Sequence, residues 1–382
     1  MDPTTTAIGT WSGGRFMHFG EPLDDARLTA LLRPGAGIDT AITADVYGCG
    51  EADLALGRSL AGLARESYCL VGAIGHDFYG GQRAGAKGFP RFTDADLRDP
   101  HEYAAYIRMA TERSLERCGV DSFDLLLLHN PDRTGYSSPL VWEGMQAVRE
   151  AGLTRLLGVA PGPANGFTLD LIGCLERFGE LIDWAMIILN PLEPWPGELA
   201  LPAAVANDVS VIARVVDYGG MFHDDVRPGH EFATYDHRKF RPEGWVPAAA
   251  QKLELIRPIA ARHGLSLLQL ACAWDLAQPA VRCVAPTLIQ EAGPQARAVE
   301  DKRAELAALD SAVRLSAEEL DSIRAIGENA GSMALKGASV EHEGAALADR
   351  WSLDEELAEV AQRWSIDATR DLRKHEESTA KR

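Results

Sequence analysis

A chain of 382 residues with 46% hydrophobic and 25% charged side chains can bury one large core or two ordinary ones, and it has the composition of an ordered globular protein. Its 56 acidic and 38 basic side chains give a net charge of -18, which repels phosphate backbones and anionic lipid. Nucleic acid and membrane surfaces are therefore not expected as partners. Six cysteines without a CxxC pair point to buried thiols in a reducing compartment, and to neither a disulfide framework nor a zinc ribbon. No apolar run approaches the roughly 20 residues that span a bilayer. The start, Met1-Asp2-Pro3-Thr4-Thr5-Thr6, lacks the basic and apolar regions of a signal peptide. The expected location is cytoplasmic.

Taken in chain order, short apolar or β-branched runs alternate with longer amphipathic stretches. Strands are expected at 6–10, 37–42, 68–75, 123–129, 155–160, 184–190, 209–215 and 281–286. Most are nearly continuous apolar runs, as parallel strands covered on both faces require. Helices are expected near 24–33, 51–64, 101–117, 139–151, 166–178, 198–207, 247–277 and 295–310. Eight strands, each followed by helical sequence, match an α/β fold of the (β/α)8 TIM-barrel type within residues 1–330. An open doubly wound sheet would want a GxGxxG turn after its first strand, and none is present. Ser316, followed by Glu318 and Glu319, starts a further helix to about Gly327. Residues 331–382 read as a C-terminal helical extension packed on the barrel. Its helix lies near 353–364, with Trp351 and Trp364 as anchors, and its charged tail is expected to fray.

Two long loops, 76–100 and 217–246, fall on the C-terminal face of such a barrel, where chemistry sits. The second holds His223, Asp224, Asp225, His230, Glu231, Asp236 and His237. A metal site needs three or four ligands converging on one point, which spacing along a loop does not provide, so no metal is assigned.

Four pieces in order carry a resemblance: Gly9-Thr10-Trp11, Thr43-Ala44-Asp45-Val46-Tyr47-Gly48, Asp124 through His129-Asn130-Pro131-Asp132, and Gly152 with Gly158-Val159. The chain resembles the aldo-keto reductases over roughly 6–326. The resemblance implies a barrel that binds NADP(H) across its C-terminal face and reduces carbonyls with a Tyr, Lys, Asp, His tetrad. Tyr47 and His129 match two members. The Asp position, five residues before the Tyr, is Ile42, and the Lys position at the end of the third strand is Ala73. Asp39 would supply a carboxylate only in another register. The cofactor positions differ too. The Ser-Asn that grips the carboxamide reads Ala160-Pro161, and the Gln of the sixth strand reads Met186. The stacking aromatic after the seventh strand reads Arg214, and the Gly after Pro286 is Thr287. The groups that hold the 2'-phosphate and adenine fall near Asp301 and Glu305.

A phenol with an ordinary pKa of ~10 is a poor acid–base group at neutral pH without a cation or hydrogen-bond partner. Tyr47 and His129 are the expected catalytic pair. Trp11, Arg214, Tyr218, Lys87 and His223 are expected to bind substrate, with Lys87 able to replace the missing cation from its Gly-rich loop. A buried Arg214 could bind a carboxylate or phosphate bidentately, and its bland alternative is a salt bridge with Asp217. The expected function is acid–base chemistry on a carbonyl- or hydroxyl-bearing small molecule without normal NADPH hydride transfer, of isomerase, lyase or dehydratase type. No cofactor is assigned. An NAD(P)H-dependent oxidoreductase, with NADP(H) as cofactor, and a non-catalytic binding or regulatory subunit are the alternatives. Oligomeric state is left open.

Overall fold

Eight strands pair in parallel, each with the next along the chain: β1 (Ala7–Gly9), β2 (Thr40–Ile42), β3 (Cys69–Ile74), β4 (Phe123–His129), β5 (Thr154–Ala160), β6 (Trp184–Ile188), β7 (Ser210–Arg214) and β8 (Val281–Ala285). A parallel bridge from Thr6 to Val284, with the Val284 amide donating to the Thr5 carbonyl at 2.9 Å, brings β8 back beside β1 and closes the ring. The structure is a computed structural model, and it describes residues 1–84, 88–162, 167–241, 243–310, 312–330 and 354–367. The (β/α)8 barrel expected from the alternation of elements is the observed fold.

Alternate residues of the strands fill the barrel interior. Ile42, Cys69, Val71, Ala73, Leu125, Leu127, Met186, Ile212, Cys283 and Ala285 form one inner apolar cluster. Their neighbours, among them Leu70, Ile74, Leu126 and Leu128, belong to a larger cluster under the helices. This period-2 division is what a two-faced buried strand imposes. Glycine matters where strands crowd: a Cβ on Gly72 would come within 2.6 Å of the Phe123 ring. Five of the six cysteines are buried, while Cys49 is exposed.

The helices are α1 (Asp25–Leu32), α2 (Glu51–Leu60), α3 (Tyr103–Cys118), α4 (Arg133–Ser137), α5 (Pro139–Glu150), α6 (Thr168–Phe178), α7 (Leu201–Ala206), α8 (Trp245–Arg262), α9 (Leu267–Leu276), α10 (Val299–Ala307), α11 (Ala317–Gly327) and α12 (Glu355–Arg363). The single helix expected over 247–277 is two. Gly264 takes φ +65°, and Ser266 with Gln269 forms a capping box that restarts the chain as α9. The short α4 was not anticipated; Asp132 caps it through the Gly135 amide at 2.8 Å. Helix α11 starts at the expected Ser316–Glu319 capping box. Helix α12 buries Leu357, Val360 and Ala361 and packs on α6. Glu176 of α6 holds Arg363 at 2.7 Å and the Trp364 indole N–H at 2.9 Å. Trp351 and the charged tail lie outside the described residues. No helix among the described residues is long and apolar enough to cross a membrane.

Candidate active site

Tyr47 follows β2 on a tight turn. Its amide donates to the Ala44 carbonyl at 3.0 Å, and Gly48 and Cys49 then take φ of 60° and 53°. The preceding Asp45 amide is tied to the Ala73 carbonyl on β3 at 3.1 Å, which fixes the turn to the barrel rim. His129 ends β4. Its ring meets the Tyr47 ring edge-on, with centroids 5.6 Å apart and planes at 89°. Sequence reading placed these two residues at the barrel mouth, and the fold brings them together there.

Both line a cavity of about 260 Å³ in the mouth. Trp11, Met17 and Phe19 form an apolar wall; Arg214, Asp217, His237 and Arg241 bring polarity from the β7 side. Trp11 is seated by its own motif, because a Cβ on Gly9 would lie 2.3 Å from the indole ring. Arg214 ends β7, and the next residue, Val215, has φ +61°. A β-branched residue in the left-handed region is strained. The Asn190 side-chain amide holds it there by donating to the Val215 carbonyl at 3.1 Å. Arg214 does not pair with Asp217. Its Nη2 donates to the Pro161 carbonyl at 2.9 Å, and its Nε has no partner. Asp217 instead accepts from the Thr287 amide at 2.7 Å and the Gly220 amide at 2.8 Å.

The electrostatics of the Tyr47 side favour neutral groups. Burial raises the Tyr47 phenol above its ordinary value, opposed by the nearby Arg214 cation. Burial first, then coupling to His76 and the cations of Arg214 and Arg91, hold the His129 imidazole well below its usual range. Burial and Arg91 push His76 down to about 3. His76 Nδ1 lies 3.0 Å from the Phe89 carbonyl and 3.1 Å from Arg91 Nη1, its Nε2 lies 3.3 Å from the Asn130 side-chain amide, and its ring lies 5.4 Å from that of His129. Asp45, fully buried, is raised well above the carboxylate range by burial and by Asp53. It does not line the cavity. Ile42 and Ala73 belong to the inner apolar cluster against which Tyr47 packs, so among the described residues these two positions bring no ionic pair to the phenol. Asp39 immediately precedes β2 at its N-terminal end, with its carbonyl accepting from the Cys69 amide at 2.8 Å. Tyr47 follows the strand's other end, so the alternative register brings no carboxylate to the site.

Two expected substrate contacts do not reach the cavity. Tyr218 has φ +46°, which turns its ring toward Trp245, 6.1 Å away between centroids. His223 is fully buried, with Nε2 donating to the Thr287 carbonyl at 2.8 Å; burial and Lys302 lower it to about 3. Lys87 lies outside the described residues. Arg241 and His237, both from the long loop after β7, were not expected as cavity residues. No periodicity marks a loop, and only the tertiary path of 217–241 brings them over the mouth. Three acidic groups of that loop are engaged by cations. Asp224 pairs with Arg257 at 2.9 Å, Asp225 with Lys302 at 2.6 Å, and Asp236 with the buried Arg238 at 2.7 Å. Among the described residues no three His, Cys, Asp or Glu side chains gather as metal ligands would.

The family model for aldo/keto reductases matches residues 7–328. The chain belongs to the aldo/keto reductase family. Among its relatives, a probable voltage-gated potassium channel subunit beta of Oryza sativa subsp. japonica is 26% identical over 329 residues, covering 84% of this chain and 93% of the relative. A D-threo-aldose 1-dehydrogenase of Pseudomonas sp is 26% identical over 278 residues, with coverage of 69% and 79%. Among solved structures, the glycerol dehydrogenase of Gluconobacter oxydans gives a TM-score of 0.61 at 23% identity, covering 84% of this chain and 90% of that one. An aldo/keto reductase of Klebsiella pneumoniae, in complex with NADP and acetate, gives 0.55 at 21%, with coverage of 85% and 95%. These structures share the fold. This aldo/keto reductase keeps a tyrosine and a histidine at the mouth, and its β5 to β8 rim carries Pro161, Met186 and Arg214.

Proposed function

We propose that this aldo/keto reductase is an enzyme that moves protons on a carbonyl- or hydroxyl-bearing small molecule through Tyr47 and His129. It acts as an isomerase, lyase or dehydratase does, without hydride transfer from NADP(H). The observation that carries the reading is the 2.9 Å bond from Arg214 Nη2 to the Pro161 carbonyl. It joins the end of β7 to the turn after β5, the two positions at which the family resemblance places the stacking aromatic and the carboxamide grip. A nicotinamide seated there would have to displace that bond, would find no aromatic partner, and would meet a thioether at Met186. Near Asp301 and Glu305, Arg297 is paired with Glu305 at 2.5 Å and Lys302 with Asp225. These residues do not fit NADP(H).

The chemistry open to the pair follows from its charge. Near pH 7 the phenol keeps its proton and the imidazole takes none. Tyr47 then donates a hydrogen bond to a substrate oxygen while neutral His129 takes the proton from the neighbouring carbon; the imidazolium so formed is offset by the enolate that Tyr47 holds, and return of the proton to the substrate restores both neutral groups. The test pairs two measurements. Hydrogen exchange in D2O beside the carbonyl of a panel of hydroxyketones and aldehydes, followed by NMR, is expected to be catalysed. Tyr47→Phe is expected to slow it by about 10²- to 10⁴-fold, the usual worth of a general acid–base group. NADPH titration, followed by nicotinamide fluorescence, is expected to show no micromolar binding; micromolar binding overturns the reading and favours an NAD(P)H oxidoreductase, as the names of the dehydrogenase relatives suggest. No exchange on any substrate, and Tyr47→Phe and His129→Ala both without effect, would favour a non-catalytic subunit.

A further inference from the structure

Two guanidinium groups reach the cavity from different elements. Arg214 is anchored through Nη2 alone, and its buried Nε donates to nothing. Arg241 comes from the loop before α8. Its guanidinium carbon lies 4.5 Å from the centroid of the Trp245 ring, and a Cβ on Gly219 would be 1.9 Å from its Nη1. That Nη1 is buried and also without a partner. Among the described residues neither arginine forms an ion pair, whereas the neighbouring Arg238 is held by both Asp236 and Glu291. The acid that lines the cavity with them, Asp217, is occupied by two backbone amides. Arg241 feels Glu193 and Asp217 only at a distance, and Arg238 opposes them.

Buried donors are satisfied in the great majority of cases, and a buried cation without a counter-ion is costly. Two such groups lining one cavity with Trp11, Met17 and Phe19 leave a place for an anion from outside. The guanidinium fork matches carboxylate and phosphate oxygens in shape as well as charge. We propose that the cavity selects a small substrate bearing one oxyanion group, a carboxylate or a phosphate, held by Arg214 and Arg241, with its reacting carbon turned toward Tyr47 and His129. The inference rests on the reading of this cavity as the substrate site. A volume of about 260 Å³ lies just below the usual range for ligand pockets, which suits a molecule of a few carbons. Binding and chemistry are then coupled. An anion beside Arg214 offsets one of the positive charges that disfavour protonation of His129, so the imidazole becomes a better base when the substrate is seated.

The test is calorimetric titration of the full chain with two pairs of probes that differ only in the anion: levulinate against 2-pentanone, and dihydroxyacetone phosphate against dihydroxyacetone. The expected result is binding about tenfold or more tighter for the anionic member of at least one pair. The pair that shows it distinguishes carboxylate from phosphate. The preference should weaken with added salt and vanish in Arg241→Gln. Equal binding within both pairs, no binding of any probe, or a preference that Arg241→Gln retains would overturn the proposal. Should that variant not fold, the wild-type pairs and their salt dependence decide. The readout is heat of binding, so isotope exchange can fail with the anion preference intact, and the reverse; the two readings fall separately.

Discussion

The two sides of the barrel mouth are built on opposite electrostatic plans. On the β2 to β4 side the groups around the phenol are held neutral beside the Arg91 cation: Tyr47 keeps its proton, Asp45 is raised well above the carboxylate range, and His76 and His129 are lowered. Burial is the first cause of each shift. On the β7 side two guanidinium groups remain charged and incompletely paired. A side of neutral groups suits proton transfer, while a cationic side can hold an anion. The difference teaches that a mouth with Ile42 and Ala73 beneath its tyrosine still has cations lining its cavity, on β7 and its loop.

The strongest way to break this comparison is to put a charge back on the neutral side. Ala73 is 1% exposed and packed in the inner cluster, so Ala73→Lys without Ile42→Asp buries an unpaired ammonium. The expected cost is roughly 3 kcal/mol or more, read by urea melts. A variant as stable as the parent would show that the site beneath Tyr47 is not dry.

A smaller effect sharpens the histidine half. His76 is lowered to about 3 in the folded chain, against an unfolded value of 6.5. The unfolded chain therefore takes the proton first. The stability that this group contributes is present above about pH 6.5 and is lost as pH falls toward 3. By pH 5 the loss is roughly 2 kcal/mol. Asp170, raised to about 7, works in the opposite sense, losing its contribution as pH rises. The check is therefore a difference: urea melts of the parent and His76→Gln between pH 7.5 and 5, with the variant expected to show the shallower loss. Parallel curves would place His76 in a wetter setting than its burial indicates.

The smallest effect links the two sides. Arg214→Gln is expected to raise the His129 pKa and also the Tyr47 pKa, because the arginine disfavours imidazolium and favours phenolate. Nitrogen-edge NMR of the histidines against pH would show the upward shift. No movement would mean that Arg214 and His129 are screened from one another, and the proposed coupling would fail.

Much of this was legible in the chain. Apolar runs at eight places, separated by amphipathic stretches, specify parallel strands covered on both faces, and eight such units without a GxGxxG turn favour the closed barrel over an open sheet. The Gly9-Thr10-Trp11 and Tyr47 motifs, with His129 at the end of β4, named three cavity residues in advance. The break at Gly264 was missed because the apolar period runs on through it. Tyr218 and His223 were misplaced for a similar reason: residues in a long loop carry no periodic mark of the direction they face.

What the sequence determined alone is the order of elements, the apolar lining of the barrel, and the presence of Ile42 and Ala73 where a charged pair was expected. Only the tertiary structure decided which cations face the cavity. Arg214 is turned by a strained Val215, and Arg241 is brought in by the path of a loop after β7. Local propensity sets where a strand begins and ends, but the partner of a buried charge is a matter of distance between segments far apart in the chain. That distance is fixed only when the ring of strands closes.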